Sequence, residues 1–193
     1  MSKLKIGIII STTRATRFGD KPAKWIYDLL AKRDDMTAEI VDLRDYPMPF
    51  YDGDIEASDG LPPKAHELKA LMLAHDALLL SCPEYNSSIS GVLKNTIDWV
   101  SRPRPNEPSA FKGKIAGLLA ASPGNLGGVR GLLTVRQVLT TLGVLVVPTQ
   151  FALSQAANAF ADDGTLRDER HRDAVTTVVT ELVNVTSAVR RAP

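Results

Sequence analysis

The chain is 193 residues long, 44% hydrophobic and 23% charged, with a formal net charge of +1. That length and composition suit one globular domain over residues 1–193 with its own core, and exclude a disordered chain. A balance so near zero speaks against nucleic-acid binding, which needs a basic stripe; Arg190-Arg191 reads as a solvated tail.

Residues 4–10 open the chain as a buried strand, β-branched and continuous, and the run is far short of the ~20 apolar residues that span a bilayer. Residues 22–32 have helical spacing, with Trp25, Ile26, Leu29 and Leu30 on one face. A second strand covers 38–43. Residues 44–63 carry prolines at 47, 49, 62 and 63 and form a long irregular loop. Within it, Tyr46, Phe50 and Tyr51 are apolar enough for a subunit interface or a pocket rim, and Asp52-Gly53-Asp54 reads as a turn. A helix over 64–74 and a strand over 77–81 follow. Next come a helix over 89–101, a proline-rich loop over 102–108 and a strand of small residues over 114–121. A helix over 128–142 stops at Gly143, a fifth strand starts at 145–147 and is closed by Pro148, and a last helix runs over 166–191.

Strands alternating with helices imply parallel pairing through right-handed crossovers. Five of them predict an α/β three-layer sandwich of flavodoxin-like type, its parallel sheet ordered 2-1-3-4-5. In such a sheet ligands bind beyond the carboxyl ends of the strands, where the strand order reverses. Three unusual segments follow strands one, three and four: 11–19 (STTRATRFG), 83–88 (PEYNSS) and 122–128 (SPGNLGG). All three are expected to line one crevice.

The first segment is rich in hydroxyls, carries Arg14 and Arg17, and leads into a helix whose N-terminus favours an anion; a phosphate monoester suits it, and so does a plain capped turn. It is neither a P-loop nor a dinucleotide fingerprint, since GxxxxGK[ST] and GxGxxG are both absent. In the second, Pro83 stiffens the turn, Tyr85 offers a flat face, and Asn86 offers donors and acceptors, a set that fits a heteroaromatic ring with polar edges. In the third, Gly124, Gly127 and Gly128 allow close backbone approach.

At these residues the sequence resembles the NADPH-dependent FMN reductase family of quinone, azo and chromate reductases. The family's phosphate loop, G-S-x-R-x-x-[SR], stands here as residues 11–17, with Ser11 for glycine and Thr12 for serine. Ser11 stays small but gives up glycine's freedom at positive φ. The P-E-Y-N signature is intact at Pro83-Glu84-Tyr85-Asn86, followed by Ser90 to Asn95 and Asp98-Trp99. The resemblance implies that Thr12, Arg14, Arg17, Phe18 and Gly19 surround an FMN phosphate. It places Pro83, Glu84, Tyr85, Asn86 and Ser87 along the isoalloxazine, with Ser122, Gly124, Gly127 and Gly128 closing the other side. It further implies NADPH or NADH as hydride donor, a small-molecule acceptor, ping-pong kinetics, and a homodimer or homotetramer. No protein side chain is needed as a nucleophile, because the flavin carries the chemistry.

Other residues carry less. Cys82 cannot form an internal disulfide, and with no leader in the first residues it suits a reducing cytoplasm. At a strand end it is more often a small core residue than a flavin neighbour. His66, His75 and His171 lack metal-ligand spacing and read as surface or capping residues, so no metal is expected. Rival readings are an FMN electron carrier, which the near-zero charge disfavours, a flavin-binding redox sensor, and a cofactor-free interaction module.

Overall fold

The apolar runs pair into one five-stranded, all-parallel sheet of order β2-β1-β3-β4-β5. The strands are β1 (Leu4–Ile10), β2 (Met36–Asp42), β3 (Ala77–Cys82), β4 (Ile115–Ala121) and β5 (Leu145–Leu153). The helices are α1 (Asp20–Leu30), α2 (Gly53–Asp59), α3 (Pro63–Ala74), α4 (Gly91–Val100), α5 (Val129–Thr141) and α6 (Glu169–Arg191). This computed structural model describes residues 3–103 and 107–191; residues 104–106 of the proline-rich loop lie outside the described residues.

The two faces follow from the two-residue period of a strand. Ile6, Ile8 and Ile10 of β1, Leu79 of β3 and Leu119 of β4 pack under α1 and α6. Ile9, Leu78, Leu80, Ala116 and Leu118 point the other way, under α3, α4 and α5. Strands β3 and β4 are therefore buried along their whole length, as central parallel strands must be. The edge strands β2 and β5 alternate instead with exposed positions such as Ile40 and Leu145.

Several expectations are corrected. The fifth strand does not end at Pro148. It passes through this exposed proline to Leu153, with a bulge opposite Ala116 and Leu118. An edge strand tolerates the missing N–H, because no strand lies on its outer side. The 44–63 segment is not wholly irregular. It begins inside a short 3₁₀ turn, Leu43–Asp45, and contains α2, whose N-terminus the Asp52 carboxylate caps by accepting from the N–H of Asp54 at 2.8 Å. The last helix starts at Glu169 rather than 166: Leu166 pairs with Phe160 in an antiparallel bridge, and Asp168 accepts from Arg170 N at 2.9 Å. His75 is buried and takes the capping role, ending α3 with its N–H on the Met72 carbonyl at 3.2 Å, and Arg190 is tied to the Lys3 carbonyl and to Asp76 rather than free in a tail. No helix among the described residues is long and apolar enough to cross a membrane.

Candidate functional site

The sheet order reverses between β1 and β3, and a cavity of about 170 Å³ opens there beyond the carboxyl ends of the strands. Thr12, Arg14, Arg17, Phe18 and Gly19 line it from the first segment, Pro83, Glu84 and Tyr85 from the second, and Ser122 from the third. Asn86, Ser87, Gly124, Gly127 and Gly128 do not reach this lining. Cys82, Ala121 and Pro123 do.

The first segment is anchored before it is charged. Ser11 is fully buried; its hydroxyl donates to the Ser81 carbonyl at 2.6 Å, and its own carbonyl accepts from the Ser90 hydroxyl at 2.7 Å. Ser11 is not among the residues at positive φ, so glycine's freedom is not required at this position. Thr12 Oγ1 lies 2.6 Å from the Tyr85 hydroxyl, joining the first and second segments across the cavity. The first residue before α1 is Gly19, which supplies no side-chain cap, so the first N–H groups of the helix have no side-chain acceptor from it.

The two arginines differ. Arg14 is exposed, its nearest side-chain partner being the Thr16 hydroxyl at 3.3 Å. The Arg17 side chain is 6% exposed, and both of its terminal nitrogens are taken by the Asp42 carboxylate at the end of β2, one of them also by the Thr12 carbonyl at 2.9 Å. The bond to Asp42, against the cost of burial, raises the Arg17 pKa. Burial pushes the Asp42 carboxyl up, but Arg17 and the Arg44 N–H outweigh it and hold the group below the usual carboxylate range.

The second segment is a conformational device. Tyr85 and Ser88 exchange backbone hydrogen bonds at 3.1 and 3.0 Å, and the two residues between them, Asn86 and Ser87, have φ of 51° and 63°. That is a two-residue turn with both central residues left-handed, a conformation asparagine tolerates and serine adopts at a cost. Glu84 turns away from its neighbours to cap α5. It accepts from the N–H of Arg130 at 3.0 Å and of Gly131 at 3.2 Å, and Arg130's guanidinium grips it at 2.7 and 3.0 Å. Burial pushes the Glu84 carboxyl up; Arg130 and the helix N–H groups outweigh it and keep it below its ordinary range. Gly131 permits the approach, since a Cβ there would sit 3.2 Å from the Ser88 carbonyl and 3.3 Å from that of Pro83. The third segment is tied to β5: Ser122 N donates to the Leu153 carbonyl at 3.0 Å, and Ala156 N to the Ser122 carbonyl at 3.0 Å. Gly128, at φ 96°, starts α5 so close to Ala120 that a Cβ would meet that side chain at 2.8 Å.

Cys82 is buried, and burial pushes its thiol up to about 12, which leaves it protonated and inert. Among the described residues no group of His, Cys, Asp and Glu is placed to hold a metal ion. Asp42 and Arg44 belong to no motif in the sequence; they are charged residues at the carboxyl end of a strand, the same end of the sheet as the crevice, and that position is the available signal.

Fold and crevice together define a flavodoxin-like protein with a cavity at its strand-order reversal. The chain matches the NADPH-dependent FMN reductase family over residues 4–158. It is 40% identical over 141 residues to an NAD(P)H-dependent FMN reductase of Pseudomonas aeruginosa, covering 72% of this chain and 73% of that one. It is 33% identical to a quinone reductase of Pseudomonas putida, covering 85% of each chain. The solved structure of FerB, a flavoenzyme NAD(P)H:acceptor oxidoreductase from Paracoccus denitrificans, superimposes with a TM-score of 0.81 at 27% identity, covering 96% of this chain and 98% of that one. The chain belongs to the NADPH-dependent FMN reductase family, and flavin-mediated NAD(P)H oxidoreduction is its class of activity, with FMN as the cofactor.

Proposed function

We propose that this chain holds the FMN phosphate in the 12–19 loop and the isoalloxazine along the 83–88 turn, and that its electron acceptor is a quinone. The observation that carries the reading is the convergence of the three loops on one cavity whose donors suit a phosphate: the Thr12 hydroxyl, the exposed Arg14 and the uncapped N-terminus of α1. Around this loop three guanidiniums, of Arg14, Arg17 and Arg44, stand against two carboxylates, of Asp20 and Asp42, and the positive remainder complements an anion.

When bound, FMN would supply the redox chemistry that links NAD(P)H to the acceptor. The chain's own residues bind and orient it. Thr12, Arg14 and the first turn of α1 would fix one end; Pro83, Glu84 and Tyr85, the part of the turn that lines the cavity, would meet the ring. Glu84, spent on α5, holds that backbone still. The cavity is smaller than the ~300–1,000 Å³ of a typical enclosed ligand site, so it would enclose only part of FMN and leave room for nicotinamide and acceptor to approach the rest. Quinone reductases among the relatives support the acceptor. Phe50, 88% exposed on a loop that Asn95 and Trp99 hold through the Pro49 carbonyl, supports a homodimer or homotetramer in which a second copy covers it. The visible spectrum after FMN is added and the excess removed tests the cofactor site, with flavin bands retained at one per chain. NADPH turnover then tests the acceptor: a benzoquinone is expected to be reduced faster than free FMN, and a colourless protein without turnover would overturn the reading.

A further inference from the structure

We propose that Asp42 and Arg44, neither of which lines the cavity, are positioning residues that fold the phosphate loop into an anion-binding nest; the inference rests on the phosphate occupying that loop. Three consecutive carbonyls of the loop each accept from a guanidinium. Arg17 takes that of Thr12 at 2.9 Å, and Arg44 takes that of Thr13 through Nε at 3.3 Å and that of Arg14 through Nη2. In a planar trans peptide the carbonyl and the following N–H point in opposite directions. The N–H groups of Thr13, Arg14 and Ala15 therefore point opposite to those three carbonyls, and of the three residues Arg14 lines the cavity. An independent contact agrees: the Arg14 N–H is directed at Thr12 Oγ1, 3.4 Å away, and that hydroxyl is the one held by Tyr85 across the cavity. Successive N–H groups converging on one point form an anion nest.

Asp42 makes the arrangement specific. It grips both terminal nitrogens of Arg17 and accepts from the Arg44 N–H at 3.1 Å, so one carboxylate sets the position of both arginines. Arg17 thus acts on the phosphate through the loop's shape, with its own charge already matched, while Arg14 is left to meet the ligand directly. Without the two forks nothing holds the carbonyls outward, and a carbonyl turned to the cavity repels a phosphate.

The experiment compares FMN with riboflavin, which lacks the phosphate, by quenching of flavin fluorescence on titration with the full chain. Arg44 is exposed, so its replacement leaves the fold in place, as the thermal melt of the flavin-free protein verifies. Arg44→Gln is expected to weaken FMN about tenfold while riboflavin changes less than about twofold. Arg44→Lys separates fork from charge: lysine keeps the charge but offers a single point, so it should still lose FMN affinity by at least about threefold. Asp42→Asn, which frees both arginines, should repeat the FMN-selective loss, with inorganic phosphate no longer raising the melting temperature. Equal loss of FMN and riboflavin, no loss in Arg44→Gln, or wild-type FMN affinity in Arg44→Lys would overturn the inference while the cofactor reading stands. A wild-type chain that binds riboflavin as well as FMN would overturn both.

Discussion

The first and second segments of the site solve the same problem by different physics. Residues 12–19 are held by charge: Arg17 on Asp42, and Arg44 on two carbonyls. Residues 83–88 are held by backbone geometry: a two-residue left-handed turn, with Glu84 bolted to the start of α5. The difference matches what each would recognise if FMN binds as proposed. A phosphate is a compact anion and is met by charge and N–H groups, whereas a flat ring with alternating donors and acceptors along its edge needs a backbone that does not move. Binding at the first segment should therefore respond to salt and to the phosphate itself, and binding at the second to steric change alone.

The sharpest way to break that contrast is at Gly131. Gly131→Val places atoms within about 3 Å of the Pro83 and Ser88 carbonyls and pushes α5 off the turn. FMN and riboflavin should both weaken, by about a hundredfold, in fluorescence titrations. Arg14→Gln should act on the other side only. FMN affinity falls about tenfold and its salt dependence flattens, with riboflavin unchanged. At Ser87, with φ 63°, Ser87→Val should cost about 1–2 kcal/mol in urea unfolding, because a β-branched residue resists the left-handed region.

A smaller effect appears with pH. The carboxyls of Asp42 and Glu84 are held below their ordinary range in the folded protein, so their contribution is full above that range and lost as pH falls through it. Stability should decline below about pH 4, and the Asp42→Asn chain, less stable at neutral pH, should lose less over the same interval in acid unfolding followed by circular dichroism. Smallest of all, the Cys82 thiol, pushed up to about 12, should react with iodoacetamide at pH 8 only after unfolding, as mass spectrometry would read.

The sheet was legible in the sequence because burial on both faces writes continuous apolar strands such as residues 77–81, which cannot be mistaken for amphipathic helices of the same length. The edges were less so. Pro148 reads as a stop to anyone counting hydrogen bonds, and only the absence of an outer neighbour makes it harmless. Helix α2 was missed because it buries no residue at all, so no apolar period betrays it; its evidence is a cap, Asp52, that was read as part of a turn. At the site, the three loops were visible as motifs after strands. The side chains' division of labour was not. Arg17 and Arg14 look alike in sequence, and only the arrival of Asp42 from β2 separates the buried, ion-paired arginine from the exposed one. Likewise Glu84 sits inside the P-E-Y-N signature and spends its charge on a helix start 46 residues away.

The most direct test of the account is to mix the FMN-loaded protein with NADPH without oxygen, and then to add a benzoquinone, following flavin absorbance throughout. The account expects the flavin band to bleach with NADPH alone and to return, stoichiometrically, on adding the quinone, with parallel double-reciprocal lines at steady state. A flavin that binds but does not bleach, or that bleaches and is not restored by the quinone, would contradict it.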